Sequence, residues 1–105
     1  MPFISVITVH LHFGDSGSLK GKRKELSSLR SVLSRRFGAA VAEVDHHDLW
    51  QRSTLVLALV GSSASDLDHL TDGVERYLES RHPESVRVER RLVSVSDLDM
   101  GLRPP

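Results

Sequence analysis

The chain has 105 residues, enough for one hydrophobic core and too few for two. Fourteen Lys and Arg balance fourteen Asp and Glu, 39% of the residues are apolar and there is no Cys, which excludes disulfides, thiol catalysis and thiolate metal sites. The longest clean apolar run, residues 55–60, is far short of the ~20 residues a membrane-spanning helix needs, and the N-terminus lacks the basic start and cleavage site of a signal peptide. A cytoplasmic protein with no membrane partner is expected.

Residues 3–13 read as a first strand. Phe3, Ile7, Val9, Leu11 and Phe13 share one face, and Ile4, Val6, Thr8, His10 and His12 share the other. A loop follows, with Ser18 placed as an N-cap. Leu19, Leu26, Leu29, Leu33 and Phe37 then keep helical spacing up to Gly38, a C-terminal stop. Residues 39–45 read as a second strand and residues 54–60 as a third, apolar on both faces. Ser63 or Ser65 caps a second helix with Leu67, Leu70, Val74, Tyr77 and Leu78 on one stripe, ended by His82-Pro83. A fourth strand spans 86–95. Its apolar phase switches between Val88 and Val93, which predicts either a bulge near Arg90-Arg91 or a strand buried on both sides.

The order is βαββαβ. With both crossovers right-handed, the simplest solution is an α+β, ferredoxin-like sandwich: a four-stranded antiparallel sheet with two helices on one face. One such domain is expected over 1–98, with 99–105 as a flexible C-terminal tail. The two helices can cover only one sheet face. The other carries Ile4, Val6, Val56 and Ala58, too apolar to stand fully wet. A partner, a second copy or the tail is expected to cover it.

The charges are unevenly placed. Residues 19–37 hold Lys20, Lys22, Arg23, Lys24, Arg30, Arg35 and Arg36 against Glu25, while residues 65–80 hold Asp66, Asp68, Asp72, Glu75 and Glu79 against Arg76. Cations in the first turns of a helix oppose its macrodipole, and a local rule broken without structural gain marks a candidate functional site. On a helical projection Lys20, Lys24 and Arg35 face outward, with Ser27 and Ser31 between them and Arg23 and Arg30 at the flanks. Such a stripe suits the phosphate backbone of RNA, although a solvated, solubilising face has the same composition. The segment is no P-loop: residues 17–22 are one residue short between glycines, and Arg23 stands where Ser or Thr would hold magnesium. The strands offer no aromatic pair for stacking bases, so phosphate and shape contacts are favoured over base readout.

Between the second and third strands runs Glu43-Val-Asp-His-His-Asp-Leu-Trp-Gln-Arg52, with the chain's one Trp and no Gly, Asn or Pro. Asp45, His46 and Asp48 are types that bind metal or relay protons, but adjacent His46 and His47 point apart on an extended chain. No complete ligand set, catalytic motif or cofactor site can be assigned. The structural reading has Asp45 and Asp48 accepting backbone N–H groups, Arg52 pairing with Glu43 or Asp45, and Leu49 and Trp50 packing over the open end of the sandwich. The alternative is partner contact through Trp50, Gln51 and Arg52, since Trp and Arg are common interface anchors.

With Ser18-Leu-Lys-Gly-Lys-Arg23 and Ala42 to Arg52, the chain resembles the YlxP-like family, small bacterial proteins of unknown function, over residues 3–97. It departs at Gly21, where a longer polar residue is expected, and at Ser53, where Ala is expected. The resemblance implies a ferredoxin-like fold and a setting among genes for translation and ribosome maturation. It implies no catalytic residues. The expectation is a non-enzymatic accessory factor that contacts RNA or the ribosome through Lys20, Lys22, Arg23, Lys24, Arg30 and Arg35. The alternative is a module that dimerises or docks a protein on its open sheet face.

Overall fold

The computed structural model describes residues 2–14 and 17–98; the expected tail over 99–105 lies outside them. The order is β1 (Phe3–His12), α1 (Leu19–Phe37), β2 (Ala40–Asp45), β3 (Arg52–Gly61), α2 (Ala64–Arg81) and β4 (Val86–Ser94), followed by a short 3₁₀ turn, Val95–Asp97. The strands form one antiparallel sheet in the order β2-β3-β1-β4, and both helices cover the same face. This is the ferredoxin-like sandwich that the element order predicts.

Each helix is bounded by local chemistry. The Ser18 hydroxyl accepts the Gly21 N–H at 3.0 Å. Gly38 ends α1 at φ 71°, a conformation open to glycine. Its N–H donates to Ser34 O and that of Ala39 to Leu33 O. Of the two candidate caps for α2, Ser63 is the one used, accepting the Asp66 N–H at 3.2 Å.

The core lies between the helices and the inner sheet face. Ile7, Val9, Leu29, Leu33, Leu55, Leu57, Val74 and Leu78 are fully buried there, each large aliphatic contributing about 1.5–3 kcal/mol. One buried polar pair interrupts it: the Ser5 and Thr71 hydroxyls are 2.8 Å apart, and Thr71 also donates to Leu67 O, so neither is orphaned. Two expected stripe members stand outside the core. Leu19 and Leu70 are exposed, and Lys22 and Thr71 are the residues buried at the start of α1 and midway along α2.

β4 pairs with β1 in continuous register from Val86 to Ser94, without the expected bulge at Arg90-Arg91. Its apolar phase changes because Arg90 occupies an inner-face position opposite Ile7 and reaches out over α2. There it binds Asp72 at 2.6 Å, Asp68 at 2.8 Å and Glu75 at 3.5 Å. Much of the acidity of α2 therefore serves one arginine. The register shift in the sheet falls instead in β2, between Glu43 and Asp45.

Candidate functional site: the Lys22–Glu43 clasp and the basic face of the first helix

The inner stripe of α1 runs Lys22, Leu26, Leu29, Leu33, Phe37. Lys22 begins that stripe, so its side chain must enter the protein, and it is 0% exposed. Burying an ammonium is costly unless it is paired and fully hydrogen-bonded. Lys22 Nζ donates to His46 O at 2.5 Å and Leu49 O at 2.8 Å, and it lies 3.1 Å from Glu43 Oε2. Three donors meet three acceptors. The expectation that Lys22 contacts phosphate is overturned, because no ligand can reach a side chain with no accessible surface.

Glu43 answers from β2, at the residue where the bulge begins, with its side chain 4% exposed. It accepts Arg23 at 2.6 Å through one oxygen, and through the other it takes the Ser53 hydroxyl at 2.7 Å beside Lys22. Burial by itself would push this carboxyl up. The hydrogen bonds from Ser53, Arg23 and Lys22, with the Lys22 charge, bring it down to about 2. Ser53 is one of the two departures noted in the sequence, and its hydroxyl supplies a bond that an Ala could not.

The clasp shapes the loop between β2 and β3. His46 takes φ 64°, its N–H donating to Asp45 Oδ1 at 2.8 Å, and Leu49 N–H returns to His46 O at 3.2 Å. Arg23 donates to His47 O, and Phe13 N–H to Gln51 O at 2.7 Å. The two sequence signatures thus meet: α1 supplies the cations and residues 43–49 the oxygens. Asp48, Leu49, Trp50, Gln51 and Arg52 are exposed, Trp50 at 36%. The expected Arg52 pairing with Glu43 or Asp45 does not form. Lys22, Arg23 and Ser53 occupy Glu43, and Arg52 has no ion pair among the described residues.

The rest of the basic helix faces solvent. Lys20 and Lys24 are exposed with no ion-pair partner among the described residues. Arg23, though bonded to Glu43, keeps 44% of its side chain accessible. Arg30 donates to Val41 O at 3.2 Å and Arg35 to Ser31 O at 3.4 Å, both exposed. Arg23, Leu26, Ser27 and Arg30 line a shallow cleft of about 290 Å³ beside β2. Two bonds also guard the free edge of β2, since Arg30 covers Val41 O and His47 Nε2 lies 3.1 Å from Glu43 O.

Two features escaped the sequence reading. The role of Glu43 as the hub of the clasp required knowing which β2 residue faces α1. The signal for Lys22 was present: four residues before Leu26, it falls on the inner stripe. The other is a groove between the helices lined by Arg36 and Arg76, residues far apart in sequence.

No helix among the described residues is long and apolar enough to cross a membrane. The fold resembles the de novo designed protein Foldit4, with a TM-score of 0.62 at 9% identity over 90% of this chain and 98% of that one. The uncharacterized protein YlxP of Bacillus subtilis (strain 168) is 31% identical over 77 residues, 73% of this chain and 83% of that one. Residues 4–99 match the family described as protein of unknown function (DUF503). With both signature segments locked into one clasp on this fold, the chain belongs to the YlxP-like, DUF503 family.

Proposed function

We propose that this protein is a non-enzymatic accessory factor that binds RNA through the outward face of α1 and the loop clasped to it. The observation that carries the reading is the row of accessible cations left once the buried Lys22 is subtracted. Lys20, Arg23, Lys24, Arg30 and Arg35 lie along one helix, spaced by Ser27 and Ser31. From Lys20 to Arg35 this face runs about 22 Å, long enough for several successive phosphates. Beside it the clasp presents Trp50, whose partly exposed ring offers a stacking surface for an unpaired base. Within this reading Lys22 has a supporting role: it holds the loop against the helix and touches no RNA.

The test is RNA affinity across a salt series. Lys20→Ala, Lys24→Ala and Arg35→Ala together should weaken binding and lower the salt slope by about 2, roughly 0.7 for each of three lost phosphate contacts to a single strand. An unchanged slope would refute the reading. Affinity capture from the source cell with and without nuclease would identify the RNA. The translation setting implied by the family resemblance makes ribosomal RNA the first to try.

A second reading rests on the outer sheet face. Val60 is 73% exposed there, opposite Ile4, with Val6, Val56 and Ala58 beside them. Such a face suits a protein partner or a second copy. Light scattering on dilution, with Ile4→Lys and Val56→Lys as probes, discriminates: a monomer indifferent to both changes argues against it.

A further inference from the structure

We propose that the groove between α1 and α2, where Arg36 and Arg76 flank Tyr77, is a binding site for a phosphate group. Arg36, Gly73, Arg76, Tyr77 and Ser80 line a cavity of about 230 Å³, and no carboxylate is among them. The Arg36 guanidinium is held in place, 5.0 Å above the Phe37 ring and 5.8 Å from that of Tyr77. It makes no ion pair with any described residue, so its fork of N–H donors keeps capacity for an anion.

Arg76 approaches from the other helix. A Cβ built on Gly73 would lie 3.3 Å from Phe37 Cε1 and 3.8 Å from Arg76 Nη2. The Arg76 side chain therefore folds back over Gly73, which the edge of the Phe37 ring also approaches. On its other side stand Asp72, Glu75 and Glu79, gathered with Arg90. Asp72 and Glu75 accept from Arg90 instead, and Arg76, whose charge also helps to lower the Asp72 carboxyl, donates no hydrogen bond to any of the three among the described residues. The two guanidinium groups line one groove with no carboxylate among its lining residues, so an anion there would meet donors from both helices.

The ordinary role of cations in a last helical turn is to offset the macrodipole. Here three carbonyls of the last turns are bonded without Arg36. Gly38 N–H takes Ser34 O, Ala39 N–H takes Leu33 O, and Arg35 takes Ser31 O. Arg36 is left to the groove. A phosphate has several acceptor oxygens for two such forks, and the tyrosine ring beside them gives a face for a base or sugar. The site stands apart from the outward cations of α1 and does not depend on the RNA reading.

Arginine side-chain NMR resonances, titrated separately with inorganic phosphate, adenosine 5′-monophosphate and a twelve-nucleotide oligouridine, test it. Saturable shifts at Arg36 and Arg76 together are expected, with the affinity read at the Gly73 and Tyr77 backbone amides weakened tenfold or more in Arg36→Gln/Arg76→Gln. Competition by the oligonucleotide would assign the phosphate to an RNA backbone. Saturation by the small phosphates with none by the oligonucleotide would assign it to a free phosphomonoester and would leave the RNA reading, which rests on the outer face of α1, to its own salt-series test. Arg76→Gln by itself leaves the Arg36 stack and both core aromatics intact, and serves if the double variant unfolds. Absence of saturation, or equal shifts in the variants, overturns the site. So does its loss in the Lys20, Lys24 and Arg35 triple variant, which would place the anion on the outer face.

Discussion

Lys22→Met keeps the length and apolar stem of the side chain and deletes its charge. In the native protein that charge is fully buried against Glu43, His46 O and Leu49 O. Its removal leaves Leu49 O without its Lys22 donor, His46 O with the Leu49 N–H alone, and a nearly buried carboxylate with Arg23 and Ser53 as its remaining partners. Hydrogen bonds to a charged group contribute about 1.5–3 kcal/mol each, and breaking a buried pair from one side costs about 3–5 kcal/mol. A chain of this length has roughly 5–15 kcal/mol in all. Lys22→Met should thus remove about 3–5 kcal/mol, roughly a fifth of the total or more. Urea unfolding measures it as a lower midpoint at unchanged slope. Amide exchange should rise at residues 46–51 first, because those carbonyls lose their anchor. Glu43→Gln should cost a similar amount, and the double variant well below the sum, since the two residues share one interaction. A Lys22→Met variant within 1 kcal/mol of the parent, with unchanged exchange in the loop, would refute the clasp. The same variant separates support from contact. RNA affinity measured on the folded fraction should keep its salt slope, because Lys22 supplies no phosphate contact.

Acid should open the clasp. The Glu43 carboxyl sits at about 2 against an ordinary 4.5, so its contribution is complete above pH 4.5 and is lost as pH falls towards 2. The linked loss is about 3 kcal/mol, and Glu43→Gln should flatten the stability profile across that window. His82 gives a second acid-sensitive step. Burial pushes its imidazole below the ordinary 6.5, with Glu25 opposing and Arg81 assisting that shift. Its side chain is 10% exposed, and Nε2 lies 3.6 Å from Glu25 Oε1. A folded value below the unfolded one means stability falls as pH drops beneath 6.5, and His82→Gln should reduce that loss in melts between pH 7 and 5.

The element order was legible because it rests on local rules. Alternation in β1, helical spacing from Leu26 to Phe37, the Ser18 and Gly38 caps and the His82-Pro83 stop each act within a few residues. Right-handed crossovers then leave few ways to assemble them. The outward cations of α1 were legible for the same reason, since a projection needs one helix alone. Partners were not. The sequence shows Lys22, Arg23, Glu43 and Ser53 as charged or polar residues on three separate elements. Packing decides that Glu43 gathers the other three, that Arg90 takes three acids of α2 and that Arg52 makes no ion pair among the described residues. The physical reason is that an ion pair forms wherever folding brings charges within a few ångströms, at any sequence separation. The cost of burying each charge then makes the chosen partner hard to exchange.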